Sequence, residues 1–268
     1  MVENLKDLNA ICQKKDYKTK GNWMARHITR DMALVLSWLL LHTPITANQV
    51  TLFSLVAGGL GCVMFAHGSK VAMAVGAILL QLWYLLDHVD GQIARYRKQV
   101  TLTGVYFDYV SHYLIHIGIF FGIGYGIFAS SGNLFYFIMG ITAGMGVTFL
   151  NLIYDVQYKA YFSKIIKLDV IFLKRGQEEE SQTKSKHVYE NILKGIFSFL
   201  HKLCEVHVLM NIITFIAVFS LFINFYPWKI FIIIYAIFTV FVTTAKNVYF
   251  VLSRIPDKSF NKTFSIRE

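Results

Sequence analysis

Long runs of apolar residues, separated by short polar connections, dominate the chain. Six runs reach the length of about 20 residues that crosses a bilayer as an α-helix. They lack the polar outer faces that buried helices of a large soluble α-protein carry, which disfavours that class. A hydrophobic content of 55% against 16% charged residues agrees with a membrane protein. The predicted spans are Thr46–His67, Val71–Ala94, Gly104–Ser130, Leu134–Tyr158, Val206–Phe225 and Ile230–Phe250.

Three further segments are predicted to be helices that lie along the membrane surface. Asp31–His42 is apolar but too short to cross, and a second short helix is expected near Asn22–Arg30. Tyr189–Leu203 repeats apolar residues at helical spacing within a longer polar loop. The predicted fold is therefore an all-α integral membrane protein with six transmembrane helices preceded by an N-terminal interfacial helix.

The domain organisation follows from the same pattern. Residues 1–30 are predicted to be a polar cytoplasmic segment, and residues 31–252 a single membrane domain. The domain contains a cytoplasmic loop over residues 161–203, and residues 253–268 form a polar cytoplasmic tail.

The distribution of basic residues predicts the orientation of the chain. Of its 26 Lys and Arg residues, 24 lie on one side of the six spans, in the terminal segments, in the connections on that side or, for Lys246, near the end of the sixth span. Only Lys70 and Lys229 lie on the other side. The basic side is expected to face the cytoplasm of a bacterial inner membrane or an ER-type membrane. Anionic membrane lipids on that side account for the net charge of +10, so no nucleic-acid partner is expected.

Acidic residues near the cytoplasmic ends of the second and third spans are the main chemical signal. A charged side chain within a membrane helix costs about 2.5–3.5 kcal/mol, so such residues point to function. Asp87 and Asp90 are three residues apart, and Asp108 and His112 four apart, so each pair shares a helix face. If the two helices are neighbours, both pairs face one cavity. Three adjacent carboxylates repel one another unless a cation such as Mg²⁺ neutralises them.

Small residues and an arginine accompany these acids. Gly91, Ala94 and Gly104 leave room for a bulky ligand beside the helix backbone. Arg95 offers a planar guanidinium that suits phosphate oxygens. Together these features indicate a nucleotide diphosphate ligand. The alternative, that each acid pairs with a basic residue of segment 95–98, explains neither the convergence of the acids nor the glycines.

The spacing of these residues resembles the signature of the CDP-alcohol phosphotransferases. The matching pattern is Asp87-x₂-Asp90-Gly91-x₂-Ala94-Arg95-x₈-Gly104-x₃-Asp108. Upstream, residues 44–51 are similar to the family segment P-x-T-P-N-x-V-T, with Ala47 in place of the second proline. The resemblance implies a metal-dependent transferase of phospholipid biosynthesis. A hydroxyl group would attack a CDP-alcohol, CDP-diacylglycerol by preference, and CMP would be released.

The resemblance also implies roles for individual residues. Asp87, Asp90, Asp108 and His112 would hold Mg²⁺ or Mn²⁺, and Arg95 would bind phosphate in catalysis. The remaining motif residues would bind the CDP group: Asn48, Thr51, Gly91, Ala94 and Gly104.

His112 departs from the family pattern, which ends in a fourth aspartate. It can act as a catalytic base, since its ordinary pKa near 6.5 suits proton removal at neutral pH. It can also be a nitrogen ligand that shifts metal preference from Mg²⁺ toward Mn²⁺. In a third interpretation the chain is a catalytically silent relative that binds CDP-lipid or serves as a partner subunit.

The acceptor site is less clearly marked. Asn151, Asp155 and Lys246 lie near the cytoplasmic ends of the fourth and sixth spans and are candidates to hold an alcohol, although Lys246 can equally extend to the interface. A soluble polyol, an amino alcohol, a sugar phosphate and a diacylglycerol all remain open as acceptor. Glycines four residues apart predict close helix packing, within the chain or in a homodimer: Gly118, Gly122, Gly126, Gly140 and Gly144.

Overall fold

Long antiparallel helices, packed side by side, form most of the structure. The computed structural model describes residues 3–13, 24–167, 172–174, 195, 199–200 and 202–266. The principal elements, in chain order, are α1 (Leu5–Cys12), a π-helical turn (Ala25–Thr29), α2 (Arg30–Leu41), α3 (Ala47–His67), α4 (Lys70–Tyr96), α5 (Leu102–Ser131), α6 (Leu134–Lys167), β1 (Phe172–Lys174), α7 (Val206–Phe222), α8 (Trp228–Leu252), α9 (Ile255–Thr263) and β2 (Phe264–Ile266).

The long helices pack against one another in pairs. α3 packs against α4 and α5, α5 against α6, α6 against α8, and α4 against α7. The strands β1 and β2 form a small antiparallel pair. The sequence predicts only a polar N-terminal segment, but the structure has the helix α1 there. Its Leu8 and Cys12 are fully buried against the first part of the bundle.

The predicted all-α membrane fold is confirmed. Within the described residues, α3, α4, α5, α6 and α8 are long and apolar enough to cross a membrane. α7 has 17 residues and is a shorter apolar helix, so the sixth span stays a prediction. α2 occupies the place of the predicted interfacial helix. Tyr189–Leu203 lies mostly outside the described residues, and the helix near Asn22–Arg30 is described only from Met24 onward.

Apolar side chains cover both the inside and the outside of the bundle. The core includes the fully buried rings of Trp83, Phe120 and Trp228. On the outer faces, Ile78 is 66% exposed and Phe215 is 70% exposed. Helices that are apolar on every side are suited to a lipid environment. The chain is a multi-pass integral membrane protein.

Specific residues fix where the helices begin and end. Thr46 and Gln49 form a reciprocal capping box at the start of α3. The hydroxyl of Thr101 accepts a hydrogen bond from the Gly104 amide at 3.0 Å and caps α5. At the other end of the bundle, Gly68 terminates α3 with a φ of 78°, a left-handed conformation that glycine adopts without a side-chain clash. These caps set the depth of the residues that follow.

The glycines of α5 allow close contact with its two neighbours. A Cβ atom added at Gly122 would overlap the backbone carbonyl oxygen of Cys62 in α3. A Cβ atom added at Gly124 would lie 2.9 Å from the Cα atom of Gly140 in α6. Close packing therefore occurs within one chain.

We expect Gly122→Ala to lower the free energy of unfolding by about 1–3 kcal/mol, because backbone atoms cannot move aside easily. The matched control is Gly59→Ala, since a Cβ atom there meets nothing within 4 Å. Thermal unfolding of the purified variants in detergent measures both effects. Equal melting temperatures for the two variants would contradict the packing argument.

Candidate active site

Three candidate residues from α4 and α5 meet at one end of the bundle. The Nε2 atom of His112 lies 2.9 Å from Oδ1 of Asp87 and 3.3 Å from Oδ1 of Asp108. One ligand atom from each residue lies within 4.8 Å of the other two, a spacing that can accommodate a metal ion. The contact joins the end of α4 to the beginning of α5, as the motif spacing predicts.

Asp90 is not part of the trio within ligand spacing, although it lies close enough to Asp87 and Asp108 to repel them. The hydroxyl of Thr51 donates a hydrogen bond to Oδ2 of Asp90 at 2.6 Å, and the Asp90 side chain is almost fully buried. Both residues belong to the motifs on α3 and α4. The contact ties those helices together.

A cavity of about 210 Å³ opens beside these acids. Asp87, Asp90 and Asp108 line it together with Gly91 and Arg95. We call this space the first cavity. Its acids, glycine and arginine match the predicted combination of metal ligands, open backbone and phosphate-binding group.

Other predicted CDP-binding residues surround the first cavity without lining it. Ala94 is partly buried, and Asn48 is exposed at the start of α3. A Cβ atom added at Gly104 would lie 3.5 Å from Oδ1 of Asn48, which shows that α3 and α5 approach each other here. All three therefore lie at the cavity end of the bundle.

Basic residues near the acids bind backbone carbonyls. The Nε atom of Arg95 donates to the carbonyl oxygen of Cys12 in α1. Arg97 donates to the carbonyl oxygens of Thr43 and Ile45 at 2.9 and 2.7 Å. These contacts hold the segments before α2 and α3 at the cavity. Arg95 and Arg97 therefore contact carbonyl oxygens in place of the carboxylates that the alternative interpretation assigns to them.

A second cavity, of about 410 Å³, lies on the other side of Asp108 and His112. It meets the first cavity at Asp108, which lines both. Two predicted acceptor residues, Asn151 and Asp155, are in its wall. The other lining residues are Tyr109, His112, Tyr113, His116, Tyr154, Glu205, Val206 and His207.

Lys246 does not line either cavity. Its side chain is 3% exposed, and its ammonium nitrogen lies 4.2 Å from the centroid of the Tyr154 ring. It is thus held inside the bundle by a cation–π contact and does not extend to the interface. Its role in holding the acceptor stays a prediction.

The ring of His112 is held between aromatic neighbours. The Trp83 ring centroid lies 5.2 Å away in an edge-to-face arrangement, and the His116 centroid lies 6.0 Å away. Nδ1 of His116 is 3.3 Å from the amide nitrogen of Asn151, which joins α5 to α6. His116 therefore supports the second cavity while His112 faces the acids.

Sequence reasoning missed several residues of both cavities. Arg30 and His88 line the first cavity, and Glu205 and His207 line the second. His88 occupies a variable position inside the motif, and Glu205 precedes an apolar helix far along the chain. Only the folded arrangement brings them to the site. Burial raises the pKa of Glu205, although nearby lysines oppose the shift.

The chain is similar in sequence to a known family and to two named relatives. The family model "CDP-alcohol phosphatidyltransferase" matches residues 44–175. Two relatives carry the name "Bifunctional IPC transferase and DIPP synthase". The one from Rubrobacter xylanophilus is 32% identical over 41% of this chain, and the one from Thermococcus kodakarensis 30% identical over 34%. The matched regions span only 25% and 20% of those two relatives.

A solved structure supports the fold. The crystal structure of Mycobacterium tuberculosis phosphatidylinositol phosphate synthase with CDP-DAG bound aligns with a TM-score of 0.51 and 17% identity. The alignment covers 81% of this chain and 90% of that chain. Residues 44–175 match the CDP-alcohol phosphatidyltransferase family, as the signature indicated. The family is one of membrane transferases.

The residues present fit the divalent metal that this family generally requires. Asp87, Asp108 and His112 supply two carboxylates and one imidazole within ligand range of one another. Carboxylate oxygen suits Mg²⁺ and Mn²⁺, and the imidazole nitrogen adds affinity for Mn²⁺.

We expect Asp87→Asn to weaken Mn²⁺ binding by about tenfold or more, because the substitution removes a charged ligand. Electron paramagnetic resonance of free Mn²⁺ measures the affinity directly. Asp257→Asn is the control, since this exposed carboxylate lies in neither cavity. Unchanged Mn²⁺ affinity in the Asp87 variant would show that the trio is not the metal site.

Proposed function

We propose that the protein transfers a phosphatidyl group from CDP-diacylglycerol to the hydroxyl of an acceptor alcohol and releases CMP. The observation that carries this proposal is the meeting of two cavities at Asp108, with His112 beside it. A transferase must hold a donor and an acceptor on opposite sides of the reacting phosphorus. The family match supports the choice of a CDP-alcohol as donor.

The first cavity takes the CDP group in this proposal. Arg95 binds phosphate oxygens through Nη1 and Nη2, since it is Nε that donates to the Cys12 carbonyl. Gly91 lets the nucleotide approach the backbone of α4, and Asn48 and Thr51 belong to the same pocket. A divalent cation held by the carboxylates of Asp87 and Asp108 would neutralise charge on the pyrophosphate, which leaves the His112 imidazole free to act as a base.

His112 is the proposed catalytic base. It lines the second cavity while its Nε2 atom contacts the acids beside the first. The acceptor hydroxyl gives its proton to the imidazole, and its oxygen forms a bond to the β-phosphorus. The bond from that phosphorus to the bridging oxygen breaks, and the bridging oxygen leaves with CMP.

The orientation and the domain boundaries are part of the proposal. Both cavities lie at the end of the bundle that carries Arg95, Arg97 and Lys98, whereas Lys70 and Lys229 begin helices at the opposite end. The positive-inside rule then favours a cytoplasmic active site within a membrane domain over residues 31–252. The polar segments 1–30 and 253–268 share that side.

We expect His112→Ala to abolish CMP release, because the variant has no group to accept the hydroxyl proton. His112→Asp restores the carboxylate of the family pattern and is expected to retain or raise activity. Radiometric release of CMP from CDP-diacylglycerol, with a pool of alcohols and Mg²⁺ or Mn²⁺, measures both variants. Asp257→Asn controls for general effects of substitution.

Full activity of His112→Ala would contradict the assignment of His112 as the catalytic base. A wild-type protein that binds CDP-diacylglycerol but releases no CMP with any alcohol would instead be a silent relative, in which histidine at position 112 ended catalysis.

A further inference from the structure

The second cavity is acidic. Asp108, Asp155 and Glu205 line it, and among the residues that the structure describes no lysine or arginine is in its wall. Asp108 also faces the first cavity, where the donor and its metal require its charge. Asp155 and Glu205 therefore remain for the acceptor.

The cavity-wall side chains that contact these two acids do not carry fixed positive charge. The Tyr113 hydroxyl, a neutral donor, contacts Asp155. Nε2 of His207 lies 3.2 Å from Oε2 of Glu205 and is charged only when protonated. Lys202 and Lys246 lie close enough to Glu205 to lower its pKa, but neither is in the cavity wall. The space thus keeps a negative potential that favours a positively charged ligand.

Aromatic rings in the cavity wall also favour a positively charged ligand. Tyr109 and Tyr113 lie four residues apart on α5 and line the cavity, and Tyr154 lines it from α6. Rings of this kind attract ammonium groups, including alkylated ones, through their electron-rich faces. Lys246 already demonstrates such a contact at Tyr154.

We propose that the acceptor is an amino alcohol, a small molecule with one hydroxyl and one positively charged nitrogen. Its ammonium group lies between Asp155, Glu205 and the tyrosine rings, and its hydroxyl lies toward His112. This inference rests on the proposed transferase function and names its substrate class. A phosphorylated alcohol is excluded, because its charge of about −1.5 to −2 would meet carboxylates without a lysine or arginine in the described wall.

The first experiment compares acceptors one at a time with the purified full chain, CDP-diacylglycerol and Mg²⁺ or Mn²⁺. The panel contains choline, ethanolamine, glycerol, inositol, glycerol 3-phosphate and inositol 1-phosphate. We expect CMP release with choline or ethanolamine at a kcat/KM at least about tenfold above that of every other alcohol. A neutral or phosphorylated alcohol as the best acceptor would overturn the inference while leaving the transferase function intact.

The second experiment tests the residues. Asp155→Asn is expected to raise the KM for the amino alcohol about tenfold or more, with kcat and the KM for CDP-diacylglycerol little changed. Glu205→Gln is a second variant with the same expected pattern, in case the first does not fold. Asp257→Asn is the matched control. Wild-type KM values in both cavity variants would contradict the assignment.

Binding of radiolabelled choline and ethanolamine is measured without any donor. It separates a failure of the transferase function from a failure of the amino-alcohol assignment. If no alcohol supports CMP release but an amino alcohol binds wild type and not Asp155→Asn, the transferase function fails and the cavity assignment stands. If neither compound binds and neither supports release, the assignment is overturned.

Discussion

The contact of His112 with Asp87 and Asp108 is the interaction on which the site depends. Ionisable groups near the ends of apolar helices are costly unless they have partners, and here α4 and α5 supply partners to each other. That requirement fixes the two helix ends side by side. It also places the first cavity on the side of Arg95 and the second on the side of Asp155, with Asp108 common to both.

The rest of the bundle keeps this contact in register. Glycines on α5 let α3 and α6 approach it closely, so the backbones leave little freedom for sliding. The Thr51–Asp90 hydrogen bond ties α3 to α4. Gln92 accepts a hydrogen bond from Ser37 at 2.9 Å and donates to the Arg30 carbonyl at 3.2 Å, which fixes α2 beside the first cavity. Small residues and a few buried polar bonds therefore position the charged groups.

Much of the fold and of the site could be predicted from the sequence, because the length of an apolar run and the spacing of motif residues are local signals. The long helices and the convergence of Asp87, Asp108 and His112 follow from them. The hydrogen bond between Thr51 and Asp90 could not be foreseen, since it depends on the direction in which Thr51 points. Glu205 and the tyrosines of the second cavity belong to segments distant in sequence. Lys246 was ambiguous because only packing decides between burial and the interface.

A structure of the protein with CDP-diacylglycerol and Mn²⁺ bound, determined by electron cryomicroscopy or crystallography, tests the central claim most directly. The claim is that the two cavities hold donor and acceptor on opposite sides of His112. The account predicts the pyrophosphate in the first cavity, beside Asp87 and Arg95, with the second cavity still open next to His112. A nucleotide in the cavity of Asp155 and Glu205, or away from both cavities, would contradict it.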